Sequence, residues 1–339
     1  MMKGFARWIV IVLMVAGVAL IAVGVTLGVT IGSSEPTPTP TPTPEAEAEE
    51  LVPSDANFVA SIQINTILTD EDLITAYNEA SKEPDIPETV DEALEEIEDE
   101  FGIDPRDFSE GVVFGDTESD DYFGAIVTGT FDPEALIESI EEATGEETAI
   151  STYKGYQIYT MTVEDEAVAI CFLSDDTVAV GQADAVKDII DVKEGDKSCI
   201  SGRGYDTYSA LGDVWIKGAV ELPEETMSEI LDEILEEGEI PGLEAFEDIE
   251  VAGFGLDKEG ENIFLQIKLY FSNAESAEDA EDVISSIITL LPLISPDIPP
   301  EVADLLEELS ISRSDSWLTI TLEITVDEIE ELIEALEEA

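Results

Sequence analysis

Histidine does not occur anywhere in the 339 residues. Its absence removes the imidazole on which Ser-His-Asp and Cys-His nucleophile systems depend, and it takes away the commonest nitrogen ligand for zinc. Cations are nearly as scarce. There are 13 Lys+Arg against 81 Asp+Glu, a formal net charge of -68. Nucleic-acid phosphates require a basic surface, so the balance excludes nucleic acid as a partner and argues against anionic lipid surfaces for the folded part. Cysteine is limited to Cys171 and Cys199, without CxxC or any other metal-ligand spacing. Aromatics reach only 7%, whereas glycosidases bring aromatic-lined sugar platforms. No P-loop, GxSxG elbow or GxGxxG after a strand is present.

What is present starts with location. Residues 8–32, WIVIVLMVAGVALIAVGVTLGVTIG, carry no charge and follow Lys3 and Arg7. A helix crosses the hydrocarbon core in about 20 residues, so this stretch is long enough to span. The two cations are expected to stay cytoplasmic, which puts everything after Gly32 outside. A cleaved secretory signal is the rival reading, but its apolar core would be about 7–15 residues with an A-x-A-like site. Either way the rest of the chain is exported. Pro36–Pro44 alternates Pro with Thr, which favours a polyproline II stalk about 28 Å long. Its threonines resemble an O-glycosylation tract and equally suit an unmodified spacer.

The hydrophobic content of 44% is enough to bury a core, so charge and core must share one fold. The expected organisation is a cytoplasmic N-terminus at 1–7, an anchor at 8–32, a linker at 33–50, and two α+β units at 51–205 and 206–339. Each unit is expected to be an antiparallel sheet with helices packed on one face, because the strands meet through short hairpins and not long crossovers.

In the first unit, alternation predicts a strand from Phe58 to Ile64 and then a helix capped by Thr69 with Asp72. Val90, Ala93, Leu94, Ile97 and Phe101 follow helical spacing. That helix turns Glu95, Glu96, Glu98, Asp99 and Glu100 outward with no lysine within reach. GIDPRD at 102–107 reads as a turn. Strands are predicted at 111–115 and 122–129, and a helix starts with Asp132 as cap and Pro133 at its first position. Strands at 149–153, 156–163, 166–173 and 177–181 form a meander, closed by a helix at 183–192.

SGRGY at 201–205 reads as a turn. In the second unit, a strand at 212–222, a helix at 223–237, and strands at 249–256 and 262–271 are predicted. A helix at 276–291, a proline-rich break at 292–300 and a strand at 317–324 follow. Thr325 with Glu328 forms a capping box for a last helix. Residues 108–140 and 248–287 both read as two strands across a polar turn followed by an amphipathic helix, the pattern of a tandem duplication.

Site candidates are few. Asp116, Asp120, Asp121, Asp175, Asp176, Asp257 and Glu259 cluster in turns that could hold a weak extracellular Ca2+, though none matches the D-x-[DN]-x-[DN]-G loop, and solvated turns explain them as well. Cys171 and Cys199 could pair outside the cell, closing a loop worth roughly 3–4 kcal/mol; alternatively Cys171 is simply a buried small residue. With 81 acids, chance carboxylate pairs are certain and give no evidence of glycoside hydrolysis.

Three segments carry a resemblance: LVPSDANFVASIQI at 51–64 with its Pro53-x-Asp55 opening, GIDPRDF at 102–108, and FLSDDTVAVGQADAVKDIID at 172–191. They resemble an uncharacterised family of membrane-anchored prokaryotic surface proteins, matched best over 51–200. The resemblance implies no catalytic residues. The leading expectation is a non-catalytic, single-pass surface protein with an acidic ectodomain, in envelope structure or binding a cell-envelope partner. A weak divalent-cation or small-ligand binding protein is the alternative, and a cryptic hydrolase the third.

Such a surface suits a saline medium. At 1 M salt the Debye length falls to about 3 Å, so self-repulsion is largely removed. The melting temperature should rise steeply between 0.1 M and 2 M NaCl in calorimetry; a flat response contradicts halophilic adaptation.

Overall fold

A computed structural model describes residues 47–80, 87, 89–101, 104–119, 122–130, 132–145, 147–163, 166–223, 226–228, 242–294, 305–306, 308–325 and 328. The apolar segment 8–32, the stalk, most of the helix expected at 223–237, Asp120, Asp121 and the residues after Glu328 lie outside these. Among the described residues no helix is long and apolar enough to cross a membrane. The described chain is mixed α and β and falls into two units, divided between Ser201 and Gly202.

Described structure reaches into the anticipated linker. A 3-10 turn at Ala48–Leu51 buries Ala48 and Leu51. Strand β1 covers Phe58–Ile62, and Ile64 then opens a short helix, α1 (Ile64–Leu68), instead of prolonging the strand. Helix α2 (Glu71–Ala80) is capped one residue later than predicted: the Leu73 N–H donates to Asp70 Oδ1 at 3.0 Å, while the Thr69 hydroxyl donates back to Asn65 O. Tyr77, Val90, Ala93 and Leu94 join α2 to α3 (Val90–Phe101) in one apolar cluster.

The acidic face of α3 does have a cation within reach. Asp104 caps the following 3-10 turn, and this places Arg106 at 3.6 Å from Asp91 and 3.8 Å from Glu98. Helix periodicity alone could not reveal this neighbour, because it comes from the next turn of chain.

Strands β2 (Phe108–Gly115) and β3 (Phe123–Gly129) form the expected hairpin. Helix α4 (Pro133–Thr144) starts with Asp132 accepting from the Glu134 and Ala135 N–H groups, and ends at Gly145 in the left-handed region. The meander follows as β4 (Ala149–Tyr153), β5 (Tyr156–Val163), β6 (Glu166–Phe172) and β7 (Thr177–Gly181), then α5 (Ala183–Lys193). The strands of this unit lie in the order β1-β2-β3-β7-β6-β5-β4, every pair antiparallel.

Helices cover both faces of this sheet, not one. Neighbouring residues of β6 show why: Ile170 points into a cluster with Ile137 of α4, Met161, Val168 and Val178. Cys171, next along the strand, points the other way and is buried with Ala169, Ala179 and Ile126. That second face carries α5, whose Ala185, Val186, Ile189 and Ile190 are wholly buried. Both faces of the central strands are apolar, so each needs a cover.

The second unit opens on a helix where a turn was expected. Gly202, with φ +103, precedes α6 (Arg203–Ser209). Strands β8 (Ile216–Glu221), β9 (Ile249–Glu259) and β10 (Asn262–Phe271) follow. Asn273 caps α7 (Ala274–Ile294), its Oδ1 accepting from the Glu275 and Ser276 N–H groups. The helix runs past Pro292, beyond its predicted end. Strand β11 (Ser310–Ser314) was not predicted; SISRS lacks apolar alternation, and the strand exists through its pairing to β12 (Trp317–Thr325). The Thr325–Glu328 capping box is formed, with Thr325 N–H donating to Glu328 Oε2 at 2.8 Å.

The order here is β8-β9-β10-β12-β11, again antiparallel. It repeats β1-β2-β3-β7-β6 strand for strand. In both units a helix follows the third strand and packs on its sheet, α4 through Ile137 against Val168 and Ile170, α7 through Ala277 and Ala280 against Phe271 and Leu318. The first unit differs by the inserted hairpin β4–β5. On the opposite face α6 packs close, because a Cβ at Gly253 would sit 2.6 Å from the Thr207 methyl.

Gly124 illustrates the packing. A Cβ there would lie 2.5 Å from Cζ of Phe114, a fully buried ring. Gly124→Ala should cost about 1–3 kcal/mol through overpacking, whereas Gly145→Ala, with φ +70 and open space around it, should cost about 1 kcal/mol from backbone strain alone. Urea unfolding of the two variants checks the order.

Candidate functional site

On a chain so rich in acids, cations mark the places where something specific happens. In the first unit they gather along α5, whose Asp184, Asp188 and Asp191 lie on a common side at helical spacing. Lys197 donates to Asp188 at 2.6 Å and to Asp55 at 2.8 Å. Lys154 bridges Asp191 at 2.7 Å and Asp196 at 2.5 Å. Three phenols complete the arrangement. Tyr122 donates to Asp188 (2.9 Å), Tyr153 to Asp191 (2.9 Å) and Tyr156 to Glu194 (2.8 Å).

Local chemistry positions these groups. Lys154 and Gly155 both have positive φ, +50 and +95, and make the two-residue turn between β4 and β5 that throws Tyr153, Lys154 and Tyr156 toward α5. The loop after α5 folds back through the Asp196 and Lys197 N–H groups, which both donate to Asp191 O. It is then held to the start of the unit by an antiparallel bridge between Pro53 and Cys199.

The electrostatics follow from these contacts. Hydrogen bonds to Asp191 and Asp196 push the Lys154 ammonium up from its ordinary value. Burial works against the Asp191 carboxylate, but the bonds from Lys154 and Tyr153 prevail and hold it below the usual range. Burial, then the bond to Glu194, pushes Tyr156 up to about 12. Burial, with Asp188 adding to it, raises Tyr122 as well. These phenols remain neutral donors and the lysines remain cations. The arrangement is a clasp that holds the β4–β5 turn and the loop after α5 to that helix.

In the second unit cations lie over aromatic rings. The Arg203 guanidinium is 3.8 Å from the centre of the Tyr270 ring and pairs with Glu250. Tyr270 meets Trp317 edge-on at 4.9 Å. Lys217, buried in β8, lies 4.3 Å from the Tyr208 ring. Lys268 donates to Ala210 O at 2.9 Å, tying β10 to the end of α6. Arg313 reaches from β11 to Glu281 (2.7 Å) and Glu278 (3.2 Å) of α7. Each of these cations fastens a helix to the sheet.

The residues singled out from sequence are distributed differently. Asp116 accepts from Asn57 Nδ2 and from the Glu118 N–H, both at 3.0 Å, which organises the β2–β3 turn. Asp176 accepts from the Ser174 and Thr177 hydroxyls in the β6–β7 turn, beside exposed Asp175. Asp257 lies within β9 opposite Phe264, and Glu259 ends that strand opposite Asn262. Asp120 and Asp121 fall outside the described residues. Among the described residues no three His, Cys, Asp or Glu side chains converge on a point that could hold a metal.

Cys171 and Cys199 are both free, one buried and the other exposed. Cys171 points into the α5 face of the sheet, and burial pushes its thiol up to about 11. The pairing considered from sequence is therefore not made. The Lys154, Tyr153 and Tyr156 clasp was not foreseen; the available signal was a lysine between two tyrosines at a hairpin turn.

No family model and no curated protein matches the chain. Among solved structures, crystal form III of TP0453 aligns with a TM-score of 0.49 at 10% identity, over 85% of this chain and 98% of that one. Form I gives 0.46 at 11% identity, over 87% and 99%. Form IV gives 0.45 at 11% identity, over 85% and 97%. A likeness at this level carries no argument.

Asp191→Asn should lower the melting temperature by roughly 2–5 °C at pH 7. The Asp191 pKa is depressed in the folded state, so its contribution exists above the ordinary Asp value of about 3.9 and fades as pH falls through the folded value. The Lys154 pKa is raised, so that side of the pair is complete below about 10.4 and is lost only as pH rises through its folded value. Melting curves of wild type and variant should therefore differ across neutral pH and converge below the Asp range.

Proposed function

We propose that this chain is a non-catalytic surface protein, anchored by residues 8–32 and carrying two acidic α+β units outside the cell in envelope structure or binding. The observation that carries this reading is the uncharged run of 25 residues at 8–32, placed between Lys3/Arg7 and the Thr-Pro stalk. Two features of the folded part support it. Described structure, with Ala48 and Leu51 buried, reaches into the acidic end of the linker, four residues after Pro44. Lys154, Arg203, Lys217, Lys268 and Arg313 fasten helices to sheets, and the buried thiol at Cys171 is held protonated near neutrality. A role in structure or recognition needs no more than this.

The extracellular setting also gives the charge a use. A surface of carboxylates stays hydrated and soluble in concentrated salt, where the same charges cost little stability. Protease added to intact cells should degrade the protein down to a membrane-held stub that keeps the native N-terminus. Protection in intact cells with loss after lysis would refute the location, and a mature chain starting near Ser33 would refute the anchor.

A further inference from the structure

We propose that strand β4 is a self-association edge, at which two copies of this chain join their first-unit sheets by antiparallel pairing of β4 with β4. The argument begins with charge. Residues 148–163, which make up β4, its turn and β5, contain no Asp or Glu and one cation, Lys154. This is the longest acid-free run among the described residues, in a chain where 81 of 339 are acids. Two bodies of net charge -68 can approach only where neither presents carboxylates. The hairpin is such a place.

Position is the second observation. The strand order of the first unit ends at β4, and Ala149, Ile150, Ser151 and Thr152 are all exposed. Ile150 is 61% exposed, more than any other large apolar side chain described. The two-residue turn at Lys154 and Gly155 makes Tyr153 and Tyr156 a hydrogen-bonded pair, and alternation along β4 then directs Ser151 and Ala149 toward β5. Ile150 and Thr152 consequently present their N–H and C=O groups to the outside.

Proteins usually guard such an edge with charge or proline. In the second unit the terminal strand β11 follows that rule through Arg313, which is bonded to Glu278 and Glu281. Strand β4 has neither device. It also belongs to the hairpin that, among the described residues, only the first unit has.

A second copy fits because the edge is self-complementary. A two-fold axis at Ser151 sets Ile150 opposite the partner's Thr152 and Thr152 opposite the partner's Ile150, with both pairs exchanging backbone hydrogen bonds. The apolar Ile150 side chain is then covered by the partner's Thr152 on the same face of the joined sheet. Ser151 meets the partner's Ser151 as a non-hydrogen-bonded pair with Cα atoms about 4.5 Å apart, within disulfide reach. The remaining negative surface opposes the pairing, so association strengthens as salt screens it.

The test is sedimentation of the full chain in detergent across a concentration series at 0.2 M and 2 M NaCl. The expected result is a species of twice the 36.7 kDa chain mass, favoured at high salt. Thr152→Pro removes only an outward N–H, and Ile150→Glu places an acid at the edge. Each should shift the dimer midpoint at least tenfold to higher concentration while leaving the melting temperature unchanged. In a Cys199→Ser background, Ser151→Cys should cross-link between copies under oxidation and Ala149→Cys should not. A chain that remains monomeric at 2 M NaCl, whether or not a strand of another protein occupies the edge, overturns the proposal. So does a dimer indifferent to Thr152→Pro, or cross-linking through Ala149→Cys equal to that through Ser151→Cys.

Discussion

Mutual repulsion among carboxylates constrains everything else in this molecule. With a net charge of -68, ordinary ion pairing cannot hold the surface of the fold together, and helices such as α3 carry acid after acid without a lysine at i+4. The consequence is heavy reliance on packing, with helices covering both faces of each sheet. The few cations are spent at joints: Arg106 beneath α3, Lys154 and Lys197 along α5, Arg203 and Lys268 between α6 and its sheet, Arg313 between β11 and α7. Scarcity makes their placement informative. Where a lysine lies between strand and helix in such a chain, it is holding that junction against the repulsion around it.

The same economy holds in both units. The same five-strand order occurs twice, each time with a helix after the third strand packed on the sheet. Both units rest on a pattern of apolar residues more than on particular ion pairs. The first also has the β4–β5 hairpin, which carries both an acid-free edge and the turn that presents Lys154 to α5. The second places α6 across its sheet where Gly253 leaves room.

Much of the secondary structure was legible from period and punctuation. The meander from Ala149 to Gly181, the Asp132–Pro133 helix start and the Thr325–Glu328 box stand where alternation and capping chemistry placed them. The misses share a cause. Strand β11, the α1 helix and the helix at Arg203 have weak local patterns and owe their conformation to neighbours distant in sequence. Both faces of the sheet being covered was also hidden, because a run such as AVAIC shows that a strand is apolar on two sides without saying which helix meets each side. The turn acids illustrate the same limit. Asp116 and Asp176 were visible as clusters, but their role as acceptors within their own hairpins emerges only from the contacts with Asn57, Ser174 and Thr177.

The order of residues by itself determined the absence of imidazole chemistry, the intensely anionic surface, the long uncharged segment near the start and most strand and helix positions, because these depend on composition and on periods of two and 3.6 residues. Which strands become neighbours, which thiol is buried and which lysine meets which carboxylate were decided only in the folded chain. Those outcomes depend on distances between groups scores of residues apart, and such distances are set by packing, which no local pattern encodes.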